Sequence, residues 1–365
     1  MESLYYVMSF VCHRHCRHCY DDRFRPYVRD ELEAVVEQAQ RSFPAIVDNL
    51  PERFTYLDRQ SPDDNGALRE RVGRIVLSGG EALHDAVRER VTYKVIERLR
   101  DKYRGQVRIV VQTTGDLLTD DIVEELLARG VFSISVAGVD DYHVGMEGRD
   151  RQRAFMSRLT ELFERHGMRA APLAVGHSAW QELEGPLFSF FGATPDAWIG
   201  KLWPRGRAWR NALSTATLAD NFCNRWSGAL GFLDHRYDGS EVSIEPDGSV
   251  YPCCVKTRMP IGSLVEDKLI DILDSLRDEP AYQALNRGDP AHMGLAYGWD
   301  EARLVAASHT TMPNGARYAN LCIGCDRFHQ AVLGPVIEAA RARRRAARRS
   351  EQDAPAQFVA GAPAD

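Results

Sequence analysis

Eight cysteines in this chain are unevenly placed, and their placement suggests metal chemistry. Three stand at Cys12, Cys16 and Cys19, none follows until Cys223, and Cys253, Cys254, Cys322 and Cys325 complete the set. In a reducing compartment disulfides are disfavoured, so clustered cysteines read as metal ligands or catalytic thiols. Three thiolates on one short loop can face a single metal centre. Iron–sulfur clusters require soft sulfur donors, and three cysteines on a four-iron cube leave one iron open to a cofactor or substrate. Zinc is the physical competitor, because His13, His15 and His18 interleave the cysteines and could complete a mixed tetrahedral site. In a polar loop those histidines are more simply exposed groups or groups that back the ligands.

Two further short segments carry chemistry, each expected at the C-terminal end of a strand. They are Ser78-Gly79-Gly80-Glu81 and Thr113-Thr114-Gly115. With the CxxxCxxC spacing followed by the aromatic Tyr20, this ordered set resembles the radical S-adenosylmethionine superfamily over roughly residues 4–210. The resemblance implies a [4Fe-4S] cluster on Cys12, Cys16 and Cys19 whose open iron takes S-adenosyl-L-methionine. It also implies cofactor contacts from Tyr20, Gly79, Gly80, Glu81 and Thr114, the Glu81 carboxylate holding the methionine amino group. Ser135, the turn at 175–177 and Arg207, within Pro204-Arg205-Gly206-Arg207-Ala208, match regions where the family holds the cofactor's ribose and adenine or carries a Gly-Arg-Ala element. The family often has proline after its Gly-Gly-Glu segment; here the residue is Ala82.

The second cysteine set resembles the auxiliary-cluster extension called SPASM or, when shortened, twitch. A Pro246-Asp247-Gly248 turn leads into Tyr251-Pro252-Cys253-Cys254, then Ile261-Gly262-Ser263-Leu264, and finally Cys322 and Cys325 at CxxC spacing. Five cysteines support one fully ligated [4Fe-4S] cluster, assigned to Cys223, Cys253, Cys322 and Cys325, with Cys253 and Cys254 interchangeable at this level. The spare Cys254 is either a small buried residue or a hydrogen-atom donor to a substrate radical, as in relatives that invert carbon centres.

The elements that must position these groups follow from periodicity. Strands are expected at residues 4–10, 74–77, 108–112, 132–137, 170–175 and 197–202, and helices near 29–42, 87–103, 120–129 and 151–166. Ile122, Val123, Leu126 and Leu127 share one face of their helix. Strands alternating with helices of this length imply parallel βαβ units. An open doubly wound sheet and a barrel both fit that pattern; the resemblance implies an α/β partial (β/α)6 barrel. The polar, turn-rich segment 44–71 reads as a loop or partner surface away from the chemistry. A hairpin of residues 242–245 and 249–251 is expected, followed by a helix near 269–276. The organisation expected is a partial barrel over 1–210, an auxiliary-cluster domain over 211–335, and a basic helix end running into a disordered tail over 336–365.

Bulk properties exclude several classes. The 365 residues are 44% hydrophobic and 27% charged, with a formal charge of −6 from 46 basic and 52 acidic side chains. No global field favours nucleic acid or an anionic membrane. No basic leader with a cleavage site stands at the start and no apolar run reaches the ~20 residues a span needs, so a cytoplasmic protein is expected. The function the resemblance implies is reductive cleavage of the cofactor to a 5′-deoxyadenosyl radical. That radical abstracts hydrogen from a small-molecule or peptide substrate in oxidation, cross-linking or epimerisation, with flavodoxin or ferredoxin as electron donor. Because the first strand begins so early, no N-terminal peptide-recognition domain is expected, which favours a small molecule or a peptide delivered by another protein. A transferase moving part of the cofactor, and a non-enzymatic zinc or iron–sulfur module, are the alternatives.

Overall fold

The computed structural model describes residues 1–172, 182–192, 201–225 and 227–353. Its strands in chain order are β1 (Ser3–Val7), β2 (Thr55–Asp58), β3 (Arg69–Val72), β4 (Arg74–Ser78), β5 (Arg108–Thr113), β6 (Ser133–Ala137), β7 (Arg169–Ala170), β8 (Leu187–Phe191), β9 (Glu241–Ile244), β10 (Ser249–Tyr251), β11 (Gly262–Ser263), β12 (His309–Thr311) and β13 (Arg317–Ala319). Nine of them form one sheet in the order β11-β10-β9-β1-β4-β5-β6-β8-β7. Six strands from the N-terminal part are parallel, as the alternating pattern requires. β9 adds to them in parallel beside β1, with Leu4 opposite Val242 and Tyr6 opposite Ile244. The β9–β10 and β10–β11 pairs are antiparallel. The α/β class with a parallel barrel-type sheet is therefore present, and its two ends, β11 and β7, do not pair among the described residues.

Helices cover the sheet where the apolar spacing places them. Thr119 caps the helix Asp120–Ala128 by accepting from the Ile122 N–H at 3.3 Å, and Ile122, Val123 and Leu126 are buried beneath it. Leu127 is half-buried at the edge of that face. The helix Arg29–Asp48 runs through Pro44 instead of ending at 42, and its last turns bury Ile46 and Val47 in the main core. Burial of that extra turn outweighs the proline's local cost.

Further expectations differ from the structure. The segment 44–71 contributes the end of that helix and the β2–β3 hairpin. The hairpin docks on the chain beyond residue 211: the Leu57 N–H donates to the Arg236 carbonyl at 2.8 Å, and Arg59 pairs with Asp238 at 2.9 Å. β8 lies between β6 and β7, although no strand was expected at Leu187–Phe191. Of the expected strand at 197–202, only Lys201 and Leu202 are described, and they are not in a strand; most of the expected 170–175 strand, from 173 on, lies outside the described residues.

The arginine-rich segment, expected as a basic helix end, lies in the helix Gly334–Asp353, which is docked on the rest of the chain. Arg344 lies against Asp267 at 2.9 Å, both buried, and Arg348 also reaches Asp267, while Arg341 and Arg345 pair with Glu266. The rest of the tail lies outside the described residues. Removing one partner of a buried ion pair strands the other charge. Asp267→Ala is therefore expected to lower stability by about 3 kcal/mol, whereas a substitution of exposed Arg343 leaves it unchanged; urea unfolding of the full chain measures both.

Candidate functional site

The loop after β1 folds back so that Cys12, Cys16 and Cys19 all line one cavity of ≈ 190 Å³. Backbone bonds hold this loop: the Cys12 N–H donates to the Arg25 carbonyl at 3.0 Å, and Cys19 N–H to the Cys16 carbonyl at 3.3 Å. Arg207, buried, clamps it from outside. Its Nε donates to the Cys16 carbonyl at 2.8 Å, and its terminal nitrogens donate to the Asp22 and Phe24 carbonyls at 3.1 and 2.6 Å. Burial pushes the Cys12 thiol up to about 12 and the Cys19 thiol up to about 11. Near neutral pH these thiols are protonated, so a bound metal must displace their protons.

The Gly79-Gly80-Glu81 segment packs directly on that loop. The Gly80 N–H donates to the Ser9 carbonyl at 3.1 Å and the Glu81 N–H to the Val11 carbonyl at 2.8 Å. A Cβ at position 80 would lie 2.3 Å from the Val11 carbonyl oxygen, which is why glycine stands there. Gly79, Gly80 and Thr114 line the cavity with the three thiols, and Tyr20 and Arg207 complete the grouping. Glu81 stands behind the wall. Its buried carboxylate accepts from the Leu83 N–H, the Thr113 hydroxyl, the Thr114 N–H and the Thr114 hydroxyl at 2.6–2.9 Å. In this state Glu81 fixes the Thr114 turn. Ser135 is not among the lining residues; its hydroxyl bonds Ser189 across the β6–β8 pair at 2.8 Å. The turn at 175–177 lies outside the described residues.

Several lining groups were not singled out from sequence: Tyr5, Arg14, Gln112, His143, Lys201 and Trp203. Gln112 carried a signal, a polar residue inside an apolar strand just before Thr113. Tyr5 carried none, since an aromatic in a first strand reads as core; its hydroxyl bonds Ser78 at 2.6 Å. Arg14 lies against Asp116 at 2.8 Å, while its second terminal nitrogen and the Trp203 indole nitrogen have no hydrogen-bond partner. The interleaved histidines diverge. His13 bonds Asp116 at 2.6 Å, His15 is exposed, and His18 packs on His143 with ring centroids 4.4 Å apart. His18, Asp140 and His143 bring three potential ligand atoms within 4.8 Å of one another, as do His13, Glu81 and Asp116.

The second cysteine set gathers around a separate small cavity of ≈ 20 Å³ lined by Cys223, Cys253, Cys322 and Cys325. Cys322 and Cys325 sit on the helix Leu321–Phe328, which Asn320 caps by accepting from the Cys322 N–H at 2.9 Å. Burial pushes the Cys253 thiol up to about 12 and that of Cys322 up to about 11. Arg205 lies beside them, 3.1 Å from Asp326 and 3.3 Å from the Cys322 carbonyl. Consecutive cysteines face opposite ways: Cys253 joins this four-thiol set, whereas Cys254 lines the first cavity with Cys12, Cys16 and Cys19. Phe222 and Val255 line both cavities and form part of the wall between them. Three thiols lining one cavity and four lining another are donor sets that fit iron–sulfur clusters.

An ion network, buried except for Arg23, ties the two loops together. The Lys256 ammonium lies 2.8 Å from Asp21 and 2.6 Å from Glu245, and Arg23 bonds both carboxylates. Burial alone would raise the Asp21 carboxyl, but Arg23 and Lys256 outweigh it and hold the group well below the usual carboxylate range.

A family model described as SPASM, an iron–sulfur cluster-binding domain, matches residues 237–293, the stretch from the β9 approach through Cys253 and Cys254. Among solved structures, the chain is similar to BtrN in complex with AdoMet and 2-DOIA, at 13% identity over 79% of this chain and 88% of that one, with a TM-score of 0.41. It is similar to native anSMEcpe with bound AdoMet and Cp18Cys peptide, at 13% identity over 93% and 99%, TM-score 0.40. It is also similar to Streptococcus suis SuiB bound to precursor peptide SuiA, at 13% identity over 78% and 66%, TM-score 0.40. At these scores they are likenesses only. The search of curated proteins found no match. Among the described residues no helix is long and apolar enough to cross a membrane.

Two outcomes follow from this geometry. Cys253→Ser is expected to lower the iron of anaerobically reconstituted protein from about eight to about four atoms per chain, while Cys254→Ser keeps about eight; elemental analysis distinguishes them. The depressed Asp21 stabilises the folded loops above the ordinary carboxylate range, and that stability is lost only as pH falls through the depressed value. Loop protection is thus expected to stay flat between about pH 7 and about pH 8, to fall below about pH 6.5 because burial lowers His18 to about 4, and to be lower throughout the flat range in Asp21→Asn, read by hydrogen exchange over residues 12–29.

Proposed function

We propose that this chain, with its SPASM-type cluster-binding segment, is a radical S-adenosylmethionine enzyme that abstracts hydrogen from a small-molecule or peptide substrate held in the first cavity. One observation carries the reading: Cys12, Cys16, Cys19, Gly79, Gly80 and Thr114, drawn from three parallel strand ends, converge on one cavity whose remaining wall carries Cys254. Strand ends on a rigid parallel sheet are where such a fold builds its chemistry.

Cys12, Cys16 and Cys19 would hold a four-iron cluster with one open iron, which when loaded supplies the electron for reductive cleavage of S-adenosylmethionine. The chain's own residues do the rest. The Thr114 turn, set by Glu81, and the backbone of Gly79 and Gly80 receive the cofactor's polar end. Arg14, Gln112, Lys201 and the Trp203 indole nitrogen are among the polar groups available to orient what enters, and Tyr5, Tyr20 and Phe24 exclude water from it. Cys223, Cys253, Cys322 and Cys325 would hold the second cluster beyond the Phe222 and Val255 wall.

Within this reading Cys254 is the hydrogen donor, which favours inversion of a carbon centre over net oxidation. A substrate carbon radical takes the hydrogen atom of the Cys254 thiol, and the resulting thiyl returns to thiol with one electron from the external one-electron carrier protein, which is oxidised, and one proton from solvent. The supporting observation is its place in the cavity wall with the first cysteine set, away from the four-thiol set.

The test is product analysis in deuterated water. The native enzyme is expected to place one solvent deuteron on carbon in the product. Cys254→Ser should still form 5′-deoxyadenosine yet lose at least about nine-tenths of that label, a tenfold change corresponding to ~1.4 kcal/mol of barrier. Undiminished labelling in the variant would remove Cys254 from the mechanism. Absence of 5′-deoxyadenosine from the native enzyme would remove the enzyme assignment itself.

A further inference from the structure

The first cavity has charged walls of one sign. Its described lining carries the cations Arg14, Lys201 and Arg207 and no aspartate or glutamate. Two of the three are committed to the cysteine loop. Arg14 lies against Asp116 at 2.8 Å, and Arg207 donates to the Cys16, Asp22 and Phe24 carbonyls. Lys201 is exposed and has no ion-pair partner among the described residues.

Trp203 stands two residues further on and lines the same cavity, buried, with its indole N–H lacking a hydrogen-bond partner. A buried donor left unpaired is costly, and an indole nitrogen donates but does not accept. The ring is fixed where it stands. It packs on Phe222 with centroids 4.8 Å apart. The Ser214 hydroxyl donates to the Trp203 carbonyl at 3.1 Å, and the Leu202 N–H donates to the Thr215 hydroxyl at 2.8 Å. Cys254 packs against the cluster of Trp203, Phe222 and Val255. The two donors thus belong to the wall beside the proposed hydrogen donor.

We propose that Lys201 and the Trp203 indole form an anion subsite and that the substrate bears a carboxylate held there, with its reacting carbon toward Cys254, an inference that deepens the radical-enzyme reading above and rests on it. A carboxylate offers two acceptor oxygens and a negative charge, which match one neutral and one cationic donor, and charge-assisted bonds of this kind are the stronger sort. A neutral amide or hydroxyl satisfies the indole N–H but leaves the ammonium charge unmatched. A cationic substrate meets only like charge on this wall.

The experiment uses cluster-loaded full-length protein, with and without S-adenosylmethionine, and two probes of one shape, propionate and neutral propionamide. Dissociation constants are read from the relaxation of the probes' methyl protons, which the iron centres enhance only for molecules bound near them. Propionate is expected to bind at least about tenfold more tightly than propionamide. Lys201→Met should abolish that preference. Trp203→Phe, which keeps an aromatic ring and removes the N–H, should reduce it at least about threefold. Arg153→Met, at an exposed position of the helix Arg149–Arg165, is the charge control and should change nothing. Equal affinity for the two probes, no binding of propionate, or a preference unchanged in either the Lys201 or the Trp203 variant overturns the subsite. Failure of the native protein to form 5′-deoxyadenosine with dithionite counts against the enzyme reading instead, and the probe affinities still decide the subsite.

Discussion

The parallel pairing of β9 with β1 is the constraint on which the site depends. β1 ends at the first cysteine loop, and its other neighbour, β4, ends at Gly79 and Gly80. β9 turns through Pro246-Asp247-Gly248 into β10 and delivers Cys253 and Cys254. One central strand thus stands between two neighbours that each carry part of the chemistry. A register slip in either pairing would turn the side chains to the other face, so register and site geometry are one specification.

Electrostatics secure what the sheet brings together. Lys256 follows the cysteine pair by two residues and enters the carboxylates of Asp21 and Glu245, one from each loop. Arg205 and Arg207, two residues apart in one short segment, serve different centres: Arg205 lies against the four-thiol set and Arg207 clamps the three-thiol loop. The ion network and the arginine pair hold both cysteine sets against the same wall of Phe222 and Val255. Buried ion pairs are costly unless fully bonded, and their concentration here indicates that positioning, rather than stability alone, is what they provide.

The motifs were legible in the sequence because each is local: the CxxxCxxC loop, the Gly-Gly-Glu turn and the Pro-Asp-Gly hairpin need only neighbouring residues to take shape. The α/β class was legible for the same reason, through alternating periodicities. What escaped depends on contacts distant in sequence. Leu187–Phe191 became a strand through its place between β6 and β7, not through alternation. The basic C-terminal helix docks because Glu266 and Asp267 lie under it. Which of Cys253 and Cys254 joins the second set is decided by the direction of two successive side chains. The donors that Glu81 accepts from, on Leu83, Thr113 and Thr114, are brought to it only by the folded turn.

The central claim is that two metal centres stand apart, one open to S-adenosylmethionine and one closed by four cysteines. Electron paramagnetic resonance of the reduced, reconstituted protein, recorded with and without S-adenosylmethionine, tests it most directly. Two iron–sulfur signals are expected, of which one shifts on addition of the cofactor and the other does not. A single signal, or two that both ignore the cofactor, would contradict the account.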